Sequence, residues 1–378
     1  MPMAGVYVHI PFCASRCSYC DFFSTLELKD AGFSYVEAVI AEAALRRNEL
    51  GGEPVRTLYL GGGTPSQLPL PLLLQLVDGL RNALDLTHVE EFTIEANPDD
   101  VTPEWCTALP SMGVNRVSMG VQTFEDDILR LIGRRHTAAQ VVQAISNLRT
   151  AGITNISIDL IYGLPGQTLA SWAHTVEQAI ALRPEHVSAY GLTYEEGTRL
   201  WRQRERGEVA EVPEEVCVEM YRELVERLQE AGFEHYEISN FALPGYHSRH
   251  NSSYWDETPY LGLGAAAHSY DGNIRRSNPC DLRRYIARIQ AGEPACEQEE
   301  MTPYERYDER VMLGLRTAAG IDVERLREDF GEEVWSHFLR EIQRHLDAGH
   351  VRLAGNSRYV LTADGILLGD SVIRDLMW

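Results

Sequence analysis

The period of the hydrophobic pattern changes repeatedly along the first 240 residues. Short apolar runs rich in β-branched residues alternate with stretches of helical spacing, as in Phe33, Val36, Ile40 and Ala44. Strands that alternate with helices in this way are typical of a parallel sheet built from βα units. The pattern therefore predicts an α/β fold containing a partial or complete (β/α) barrel.

The same pattern locates the predicted elements of this first part. Strands are predicted at residues 6–10, 57–60, 91–96, 116–120, 155–160 and 186–190. Further helices are predicted at residues 71–84, 103–112, 137–151 and 169–182. Each strand but the last is followed by a helical stretch, so the carboxyl ends of the strands should share one rim.

The pattern weakens after residue 240 and becomes helical again near residue 303. Helical spacing at 304–316, 322–330 and 334–348 precedes two short strands, 351–354 and 358–361, which flank a Gly355-Asn356 turn. Three helices and a hairpin resemble a winged-helix module, and the mixed charge of this one favours a packing or lid role over DNA binding. We therefore predict a core at 1–240, a loop-rich connector at 241–302 and a smaller C-terminal α+β domain at 303–378.

Composition restricts the partners and the compartment. The 378 residues include 56 acidic and 34 basic side chains, and the net charge of -22 makes nucleic acid an unexpected partner. Seven cysteines in a long chain indicate a reducing compartment, by default the cytoplasm. The N-terminus has no basic region followed by an apolar stretch, and prolines interrupt the leucine-rich stretch 68–77. We therefore expect neither a signal peptide nor a membrane span.

Three cysteines lie within eight residues after the first predicted strand. Cys13, Cys17 and Cys20 could hold three corners of an iron–sulfur cubane or three positions around a tetrahedral ion, and either arrangement leaves one metal position for an outside ligand. The alternative is a structural zinc site, which needs a fourth ligand. His9 is a candidate for that ligand, although no second cysteine pair supports it.

Polar residues at other strand ends predict a pocket beside the cysteine loop. The run Gly-Gly-Gly-Thr-Pro at 61–65 follows the second strand and allows close approach of backbone to a ligand, although glycine also serves any sharp turn. Glu95, Gln122 and Asp159 lie at or after the ends of three other strands. Each alone could be a satisfied buried polar group. Together with the two loops they predict a binding pocket.

The cysteine spacing and the glycine run resemble the radical S-adenosylmethionine (SAM) superfamily. Cys13-x3-Cys17-x2-Cys20, with an aromatic residue at Tyr19, is similar to the cluster motif of that superfamily. Further similar segments narrow the resemblance to the oxygen-independent coproporphyrinogen dehydrogenase (HemN) group and its HemW relatives. These segments are 7–13, Glu95 with Asn97-Pro98, 118–122, Arg134 and 158–165. The resemblance covers nearly the whole chain.

The resemblance implies two cofactors and the residues that hold them. The three cysteines would ligate one [4Fe-4S] cluster, and the amino and carboxylate groups of SAM would chelate its open iron. The residues implied in contact with SAM are Tyr7, Tyr19, Gly62, Gly63 and Thr64. The residues implied to line the same pocket or a second SAM position are Glu95, Gln122, Arg134 and Asp159. The chemistry agrees, since carboxylates suit ribose hydroxyls and Arg134 can offer a carboxylate a two-pronged donor. Arg134 could instead be a surface cation, which is the expected role of Arg135.

Two departures distinguish this chain from the HemN dehydrogenases. Those enzymes have a further cysteine two residues after the third cluster ligand, where this chain has Phe22. They also carry a long N-terminal extension, whereas 12 residues precede Cys13 here. Both departures match the HemW pattern and put coproporphyrinogen decarboxylation in doubt, so enzymatic activity is left open.

The segment from His250 to Trp255, His-Asn-Ser-Ser-Tyr-Trp, resembles a HemW motif that is linked with heme binding. An imidazole can ligate heme iron, and Tyr254 and Trp255 could stack on a porphyrin. A hydrogen-bonded structural role for His250 is the alternative, and His247 and His268 are nearby candidates for the ligand. The other cysteines are predicted to be buried or unused thiols: Cys106, Cys217, Cys280 and Cys296.

The resemblance thus implies a heme chaperone that binds a [4Fe-4S] cluster, SAM and heme, and passes heme to recipients such as respiratory enzymes. Transient contact with membrane respiratory proteins is compatible with that role. A coproporphyrinogen III dehydrogenase, which converts two propionates to vinyl groups by hydrogen abstraction, is the alternative enzyme. A structural zinc-binding module is the third interpretation.

Overall fold

The structure, a computed structural model, describes residues 4–378, so the first three positions of the predicted core lie outside the described residues. Its strands are β1 (Ala4–Ile10), β2 (Val55–Gly62), β3 (Glu91–Ala96), β4 (Arg116–Gln122), β5 (Asn155–Tyr162), β6 (His186–Gly191), β7 (Glu234–Glu237), β8 (Asn240–Ala242), β9 (Tyr260–Leu263), β10 (His268–Tyr270), β11 (Ile274–Ser277), β12 (Glu297–Glu300), β13 (Ile321–Asp322), β14 (Val351–Ala354) and β15 (Arg358–Leu361). All six predicted strands are present.

One large sheet contains the first twelve of these described strands. Its order is β12-β11-β10-β9-β1-β2-β3-β4-β5-β6-β8-β7. Strands β9 and β1 to β6 pair in parallel, and the strands beyond them at both edges are antiparallel. Within residues 4–378, β12 and β7 do not pair with each other, so the sheet does not close. The predicted partial (β/α) barrel is therefore confirmed.

Helices connect the strands, and those that join the parallel strands cover the outside of this sheet. They are α1 (Leu28–Arg46), α2 (Leu70–Ala83), α3 (Pro103–Ala108), α4 (Asp126–Leu131), α5 (Ala138–Thr150), α6 (Leu169–Ala181), α7 (Arg199–Glu205), α8 (Glu214–Glu230), α9 (Arg249–Trp255), α10 (Leu282–Gln290), α11 (Pro303–Leu315), α12 (Val323–Asp347), α13 (Ala363–Leu367) and α14 (Gly369–Leu376). The predicted helix 103–112 stops at Ala108, because Pro110 cannot continue the hydrogen-bond ladder and begins a 3-10 turn.

The parallel strands alternate between an aliphatic face and a largely polar face. The aliphatic side chains join the main core, as illustrated by Val6, Val8, Leu58, Leu60, Phe92, Ile94, Val117, Met119, Ile156 and Ile158. The alternate positions are largely polar, as illustrated by His9, Thr57, Glu91, Thr93, Glu95, Arg116, Ser118, Ser157, Asp159 and His186. Because successive side chains of a strand point to opposite faces, the inside of the barrel is polar.

The segment predicted to be a loop-rich connector, 241–302, contains regular structure that the sequence pattern did not indicate. Helix α9 and strand β9 place the His250–Trp255 segment against the barrel, and β10 to β12 extend one edge of the sheet. These strands have three or four residues each. Strands that are short, lie at an edge and carry mostly polar residues give little periodic signal.

The C-terminal part has an apolar core of its own around Tyr307, Val311, Phe338 and Val372. Strands β13, β15 and β14 form a three-stranded sheet, and the predicted hairpin and three helices are present. Two of the predicted helices merge into α12, with a break at Gly331 (φ 85, ψ 179). Backbone hydrogen bonds from Ile238 N to Arg316 O and from Ala318 N to Tyr236 O join this part to the barrel.

Candidate functional site

The three cysteines open onto one cavity of about 450 Å³ at the carboxyl rim of the barrel, called here the cysteine cavity. Eight of the nine residues predicted to bind SAM also line it: Tyr19, Gly62, Gly63, Thr64, Glu95, Gln122, Arg134 and Asp159. These residues come from separate strands and loops across more than half of the barrel. The shared rim of parallel strands brings them together.

The cysteine loop is anchored at both ends by backbone hydrogen bonds. Cys13 N donates to Thr25 O at 2.9 Å, and Ser18 N donates to Ile132 O at 2.9 Å. The Cys13 sulfur lies 3.4 Å from Thr64 Oγ1, so the cysteine loop contacts the glycine loop. Burial raises the pKa of Cys20 to about 11. A metal centre here would therefore bind with release of thiol protons.

The loop offers three thiols, which match three corners of a cubane cluster. Among residues 4–378, no group of three or more His, Cys, Asp or Glu side chains is placed to hold one metal ion. His9, the candidate fourth zinc ligand, uses both ring nitrogens elsewhere: Nδ1 pairs with Tyr7 Oη at 3.1 Å and Nε2 with Phe23 O at 2.9 Å.

The glycine loop requires glycine at two positions. Gly62 has φ +110, and a Cβ there would lie 2.5 Å from the ring of His9. A Cβ on Gly63 would lie 2.7 Å from the carbonyl carbon of Pro11. L side chains rarely adopt the φ of Gly62, and the Pro11 backbone beside Gly63 cannot easily give way, so the loop can pass this close only without side chains. Its backbone is thereby exposed to the cavity.

Two half-buried carboxyl groups face the cysteine cavity. Glu95 accepts hydrogen bonds from Tyr59 Oη at 2.8 Å and from Gly62 N at 3.0 Å, yet burial raises its pKa to about 7. Burial also raises the pKa of Asp159. The cation of Arg116, which is 1% exposed, counteracts both shifts. Among the described residues, Nε and Nη1 of Arg116 have no hydrogen-bond partner.

Arg134 is a half-buried residue that lines the cysteine cavity. Its guanidinium donates to Asn97 Oδ1 at 2.7 Å and to the carbonyl of Gly120, and it lies 3.5 Å from the Cys17 sulfur. The neighbouring Arg135, as expected, is instead partly exposed and pairs with carboxylates outside the cavity. Gln122 has a left-handed φ of 67 beside a register shift in β4. Such a conformation in a residue other than glycine is strained, and strain of this kind is concentrated at functional sites.

A second, larger cavity of about 670 Å³ lies between the barrel and the C-terminal part, called here the aromatic cavity. Its aromatic lining consists of Tyr7, Tyr59, Tyr190, Tyr254, Trp255, Tyr260 and Tyr270. Glu95 and Tyr190 line both cavities. A ligand in the aromatic cavity would therefore share two side chains with the cysteine cavity.

Tyr7, the ninth residue predicted to bind SAM, lines the aromatic cavity and not the cysteine cavity. It lies in the middle of β1, in register with Tyr59 of β2, whereas the glycine loop begins at the end of β2. The alternation of β1 correctly predicts that Tyr7 faces the barrel interior. Depth along the strand separates it from the cysteines, and periodicity carries no information on depth.

The His250 imidazole is buried, and both of its ring nitrogens are hydrogen-bonded. Nδ1 lies 2.8 Å from Thr57 Oγ1, and Nε2 lies 2.9 Å from Tyr254 Oη. Burial, with a contribution from the Arg116 charge, lowers the pKa of His250 to about 3. The imidazole is thus neutral at pH 7, and iron can reach Nε2 only if Tyr254 Oη leaves it.

The two alternative histidines lie outside this arrangement. His247 stacks on Tyr236, with ring centroids 4.1 Å apart, and its Nε2 lies 2.8 Å from Glu234 Oε2. Exposed His268 lies on β10 and, like His247, is not among the residues that line the aromatic cavity. Of the other cysteines, Cys106 is buried and Cys280 is exposed.

Sequence reasoning missed one wall of the aromatic cavity. Helix α11 contributes Glu309, Met312 and Leu313, and its C-terminal cap residue is Arg316. The four are spaced i, i+3, i+4 and i+7 and so share one helical face. Glu237, at the end of β7, was also missed, and burial raises its pKa to about 7. The spacing of the α11 residues was a usable signal, but the same spacing describes any helix face packed on a core.

Comparison with known proteins identifies the class. The Radical SAM superfamily profile matches residues 7–179, and the HemN C-terminal domain profile matches residues 301–368. The solved structure of coproporphyrinogen III oxidase (HemN) from Escherichia coli matches the fold with a TM-score of 0.86 at 23% identity, covering 100% of this chain and 90% of that chain. Fold and cysteine cavity define a radical SAM protein, a class that uses a [4Fe-4S] cluster and SAM.

Full-length relatives narrow the class to one family. The heme chaperone HemW of Bacillus subtilis (strain 168) is 37% identical over 98% of both chains. The heme chaperone HemW of Lactococcus lactis (strain IL1403) is 40% identical over 99% of this chain and 97% of the relative. The chain belongs to the HemW family. This membership favours the first interpretation of the sequence over the dehydrogenase and the zinc module.

Proposed function

We propose that this protein is a heme chaperone that binds heme in the aromatic cavity and hands it to recipient proteins. The observation that carries the proposal is a cavity of about 670 Å³ with seven aromatic side chains in its lining, next to the cysteine cavity. Flat aromatic ligands are bound well by such surfaces. The relatives at 37% and 40% identity are named heme chaperones, which supports the same function here.

In this proposal, Cys13, Cys17 and Cys20 ligate one [4Fe-4S] cluster, and SAM occupies the rest of the cysteine cavity. When bound, the cluster supplies one electron to SAM. The backbone of the glycine loop is exposed to the same cavity. Glu95 and Asp159 can accept hydrogen bonds from hydroxyl or amino groups, and Arg134 can pair with a carboxylate.

Heme binding is assigned to the His250–Trp255 segment. Tyr254 and Trp255 line the aromatic cavity and offer rings to a porphyrin face. His250 is held as metal-binding histidines usually are, with one ring nitrogen fixed by a partner. Thr57 binds Nδ1, and Nε2 faces the hydroxyl of Tyr254. We assign Nε2 as the atom that ligates heme iron once the Tyr254 hydroxyl has moved aside.

The recipients in this proposal are heme proteins such as respiratory enzymes, which the chaperone contacts transiently at the membrane. Within residues 4–378, no helix has the length and apolar character needed to cross a bilayer. Seven cysteines, none of them paired within the described chain, support a reducing compartment, the cytoplasm. The net charge of -22 supports protein and heme partners over nucleic acid.

Anaerobic reconstitution followed by two assays tests this function. Heme titration of the wild-type chain should saturate and give an absorbance band of histidine-ligated heme. His250→Ala should weaken heme binding. His247→Ala, a matched control outside the cavity, should leave it unchanged. Incubation with SAM and coproporphyrinogen III should give no protoporphyrinogen. Efficient formation of protoporphyrinogen would instead favour the dehydrogenase alternative, for which the HemN-like fold is the supporting observation.

A further inference from the structure

The α11 wall of the aromatic cavity carries an arginine whose charge is poorly neutralised. Arg316 lines the cavity and pairs with Asp370, with Nη2 to Oδ1 at 2.7 Å. The Asp370 side chain is 86% exposed. Ion pairs with an exposed partner contribute little, because water and salt screen them. Asp370 is therefore a weak competitor for the guanidinium.

Arg316 also has an unused donor. Its Nε is buried and has no hydrogen-bond partner within the described chain. A buried donor without a partner is costly, so such groups are usually satisfied by something at the site. Nε and Nη2 form one edge of the guanidinium, which can bind a carboxylate through two parallel hydrogen bonds. A carboxylate in the cavity would satisfy the unpaired Nε.

The other charged groups of the cavity are better compensated. Arg275 pairs with Glu309 and lies over the ring of Tyr270 at 5.1 Å. Glu257, which also lines the aromatic cavity, pairs with Arg310 of α11. Glu237 and Glu95 remain. Burial raises the pKa of each to about 7, and the Arg316 cation counteracts the shift of Glu237 without a hydrogen bond to it. Arg316 is thus the cavity cation that is available to a ligand.

We propose that Arg316 binds a carboxylate of the ligand in the aromatic cavity, in place of Asp370. This inference rests on the proposed function, and the ligand is therefore a porphyrin with propionate side chains. The aromatic walls hold the ring system, and Arg316 selects porphyrins that carry a free carboxylate. The C-terminal part thereby becomes a specificity element of the heme site, because α11 supplies the group that distinguishes an acid from an ester.

A titration of the reconstituted full-length chain with two ligands tests the inference. Iron protoporphyrin IX and its dimethyl ester share the metal and the ring but differ in the carboxylates. The wild type should prefer the free acid by about tenfold or more, the effect of one charge-assisted hydrogen-bonded pair. Arg316→Gln should bind both forms with similar affinity. Asp370→Asn, which removes the competitor, should preserve or increase the preference.

Arg222 provides the matched control. It pairs with Asp364, also exposed, at 3.1 Å, and it lines a separate groove away from the aromatic cavity. Arg222→Gln should keep the wild-type preference for the acid. Circular dichroism and the absorbance of the cluster would verify that each variant is folded and loaded, so that a change in preference reports the ligand contact.

The outcomes separate the two proposals. If the wild type binds neither form, the heme-chaperone proposal fails and the Arg316 assignment is overturned with it. If the wild type binds heme but does not distinguish acid from ester, or if Arg316→Gln retains the preference, the Arg316 assignment alone is overturned. Loss of the preference in Arg316→Gln with retention in Arg222→Gln is the result that supports it.

Discussion

The Nε2 atom of His250 lies 2.9 Å from the hydroxyl of Tyr254, one turn further along α9. On the other side of the ring, Thr57 Oγ1 holds Nδ1 at 2.8 Å. The imidazole is therefore fixed in orientation and blocked by one hydroxyl group. Within the proposed function, that hydroxyl controls access of iron to the ring, and Thr57 determines which nitrogen faces the cavity.

Replacement of Tyr254 by Phe tests this blocking contact. The variant keeps the aromatic ring but removes the hydroxyl, so no hydrogen bond to Nε2 has to break before iron binds. We expect heme affinity to rise about threefold to tenfold, which corresponds to one ordinary hydrogen bond. Absorbance titration with heme would measure it. Unchanged affinity would indicate that the Tyr254 hydroxyl does not compete with the ligand.

Replacement of Thr57 by Val should have the opposite effect. Val has nearly the same shape but cannot fix Nδ1, so the ring loses its preferred tautomer and orientation. Partners of this kind change metal affinity by about tenfold to a hundredfold. The same titration should show weaker heme binding and no loss of iron or sulfide from the cluster. Equal effects on heme and cluster would point to general unfolding instead.

Much of this site follows from sequence, and the remainder depends on contacts between distant parts of the chain. The cysteine loop, Glu95 and Asp159 could be predicted because strand ends share a rim in a parallel barrel. The Thr57 partner of His250 could not, since 193 positions separate the two residues. Arg316 was missed for a similar reason: a helical face looks the same whether it packs on a core or lines a cavity.

The fold shows the same division. Strands β1 to β6 have clear apolar runs and were predicted within a few residues of their observed bounds. Strand β12, Glu-Gln-Glu-Glu, is exposed at the sheet edge and has no apolar position at all. Its pairing with β11 is determined by backbone hydrogen bonds and the preceding chain path. No periodic pattern in the sequence could reveal such a strand.

Serine substitution of each cavity cysteine should abolish the cluster. Cys13→Ser, Cys17→Ser and Cys20→Ser each remove one of the three proposed thiolate ligands. We expect iron and sulfide near zero in these variants, against about four of each per chain in the wild type. Cys280→Ser, at an exposed position outside the cavity, is the control and should load normally. A fully loaded cavity variant would refute the ligand assignment.

Alanine at Gly62 should be much more harmful than alanine at Gly152. Both glycines have positive φ, +110 and +88, but a Cβ at Gly152 meets nothing within 4 Å, whereas at Gly62 it meets His9. We expect a loss of about 1 kcal/mol in unfolding free energy for Gly152→Ala and about 2–4 kcal/mol for Gly62→Ala. Denaturant unfolding would measure this difference. Similar losses would mean that His9 moves aside.

Glu95 should make stability depend on pH. Burial raises its pKa from 4.5 to about 7, so the folded chain binds a proton more tightly than the unfolded chain. The contribution of protonated Glu95 to the unfolding free energy is therefore fully present below about pH 4.5, and it is lost as pH rises toward 7. In the wild type, Glu95 should lower the unfolding free energy by up to about 3 kcal/mol between pH 5 and pH 8. Glu95→Gln should remove this part of the pH dependence. An unchanged slope would exclude Glu95 as the source.

The central claim is that this chain hands heme directly to a recipient, and transfer kinetics test it most directly. The heme-loaded chain would be mixed with increasing concentrations of a heme-free respiratory enzyme subunit or, for comparison, apomyoglobin. Direct transfer predicts a rate that rises with the concentration of the respiratory acceptor, while transfer to apomyoglobin stays at the rate of heme dissociation. Rates that are independent of concentration for both acceptors would contradict the claim, because heme would then merely dissociate into solution.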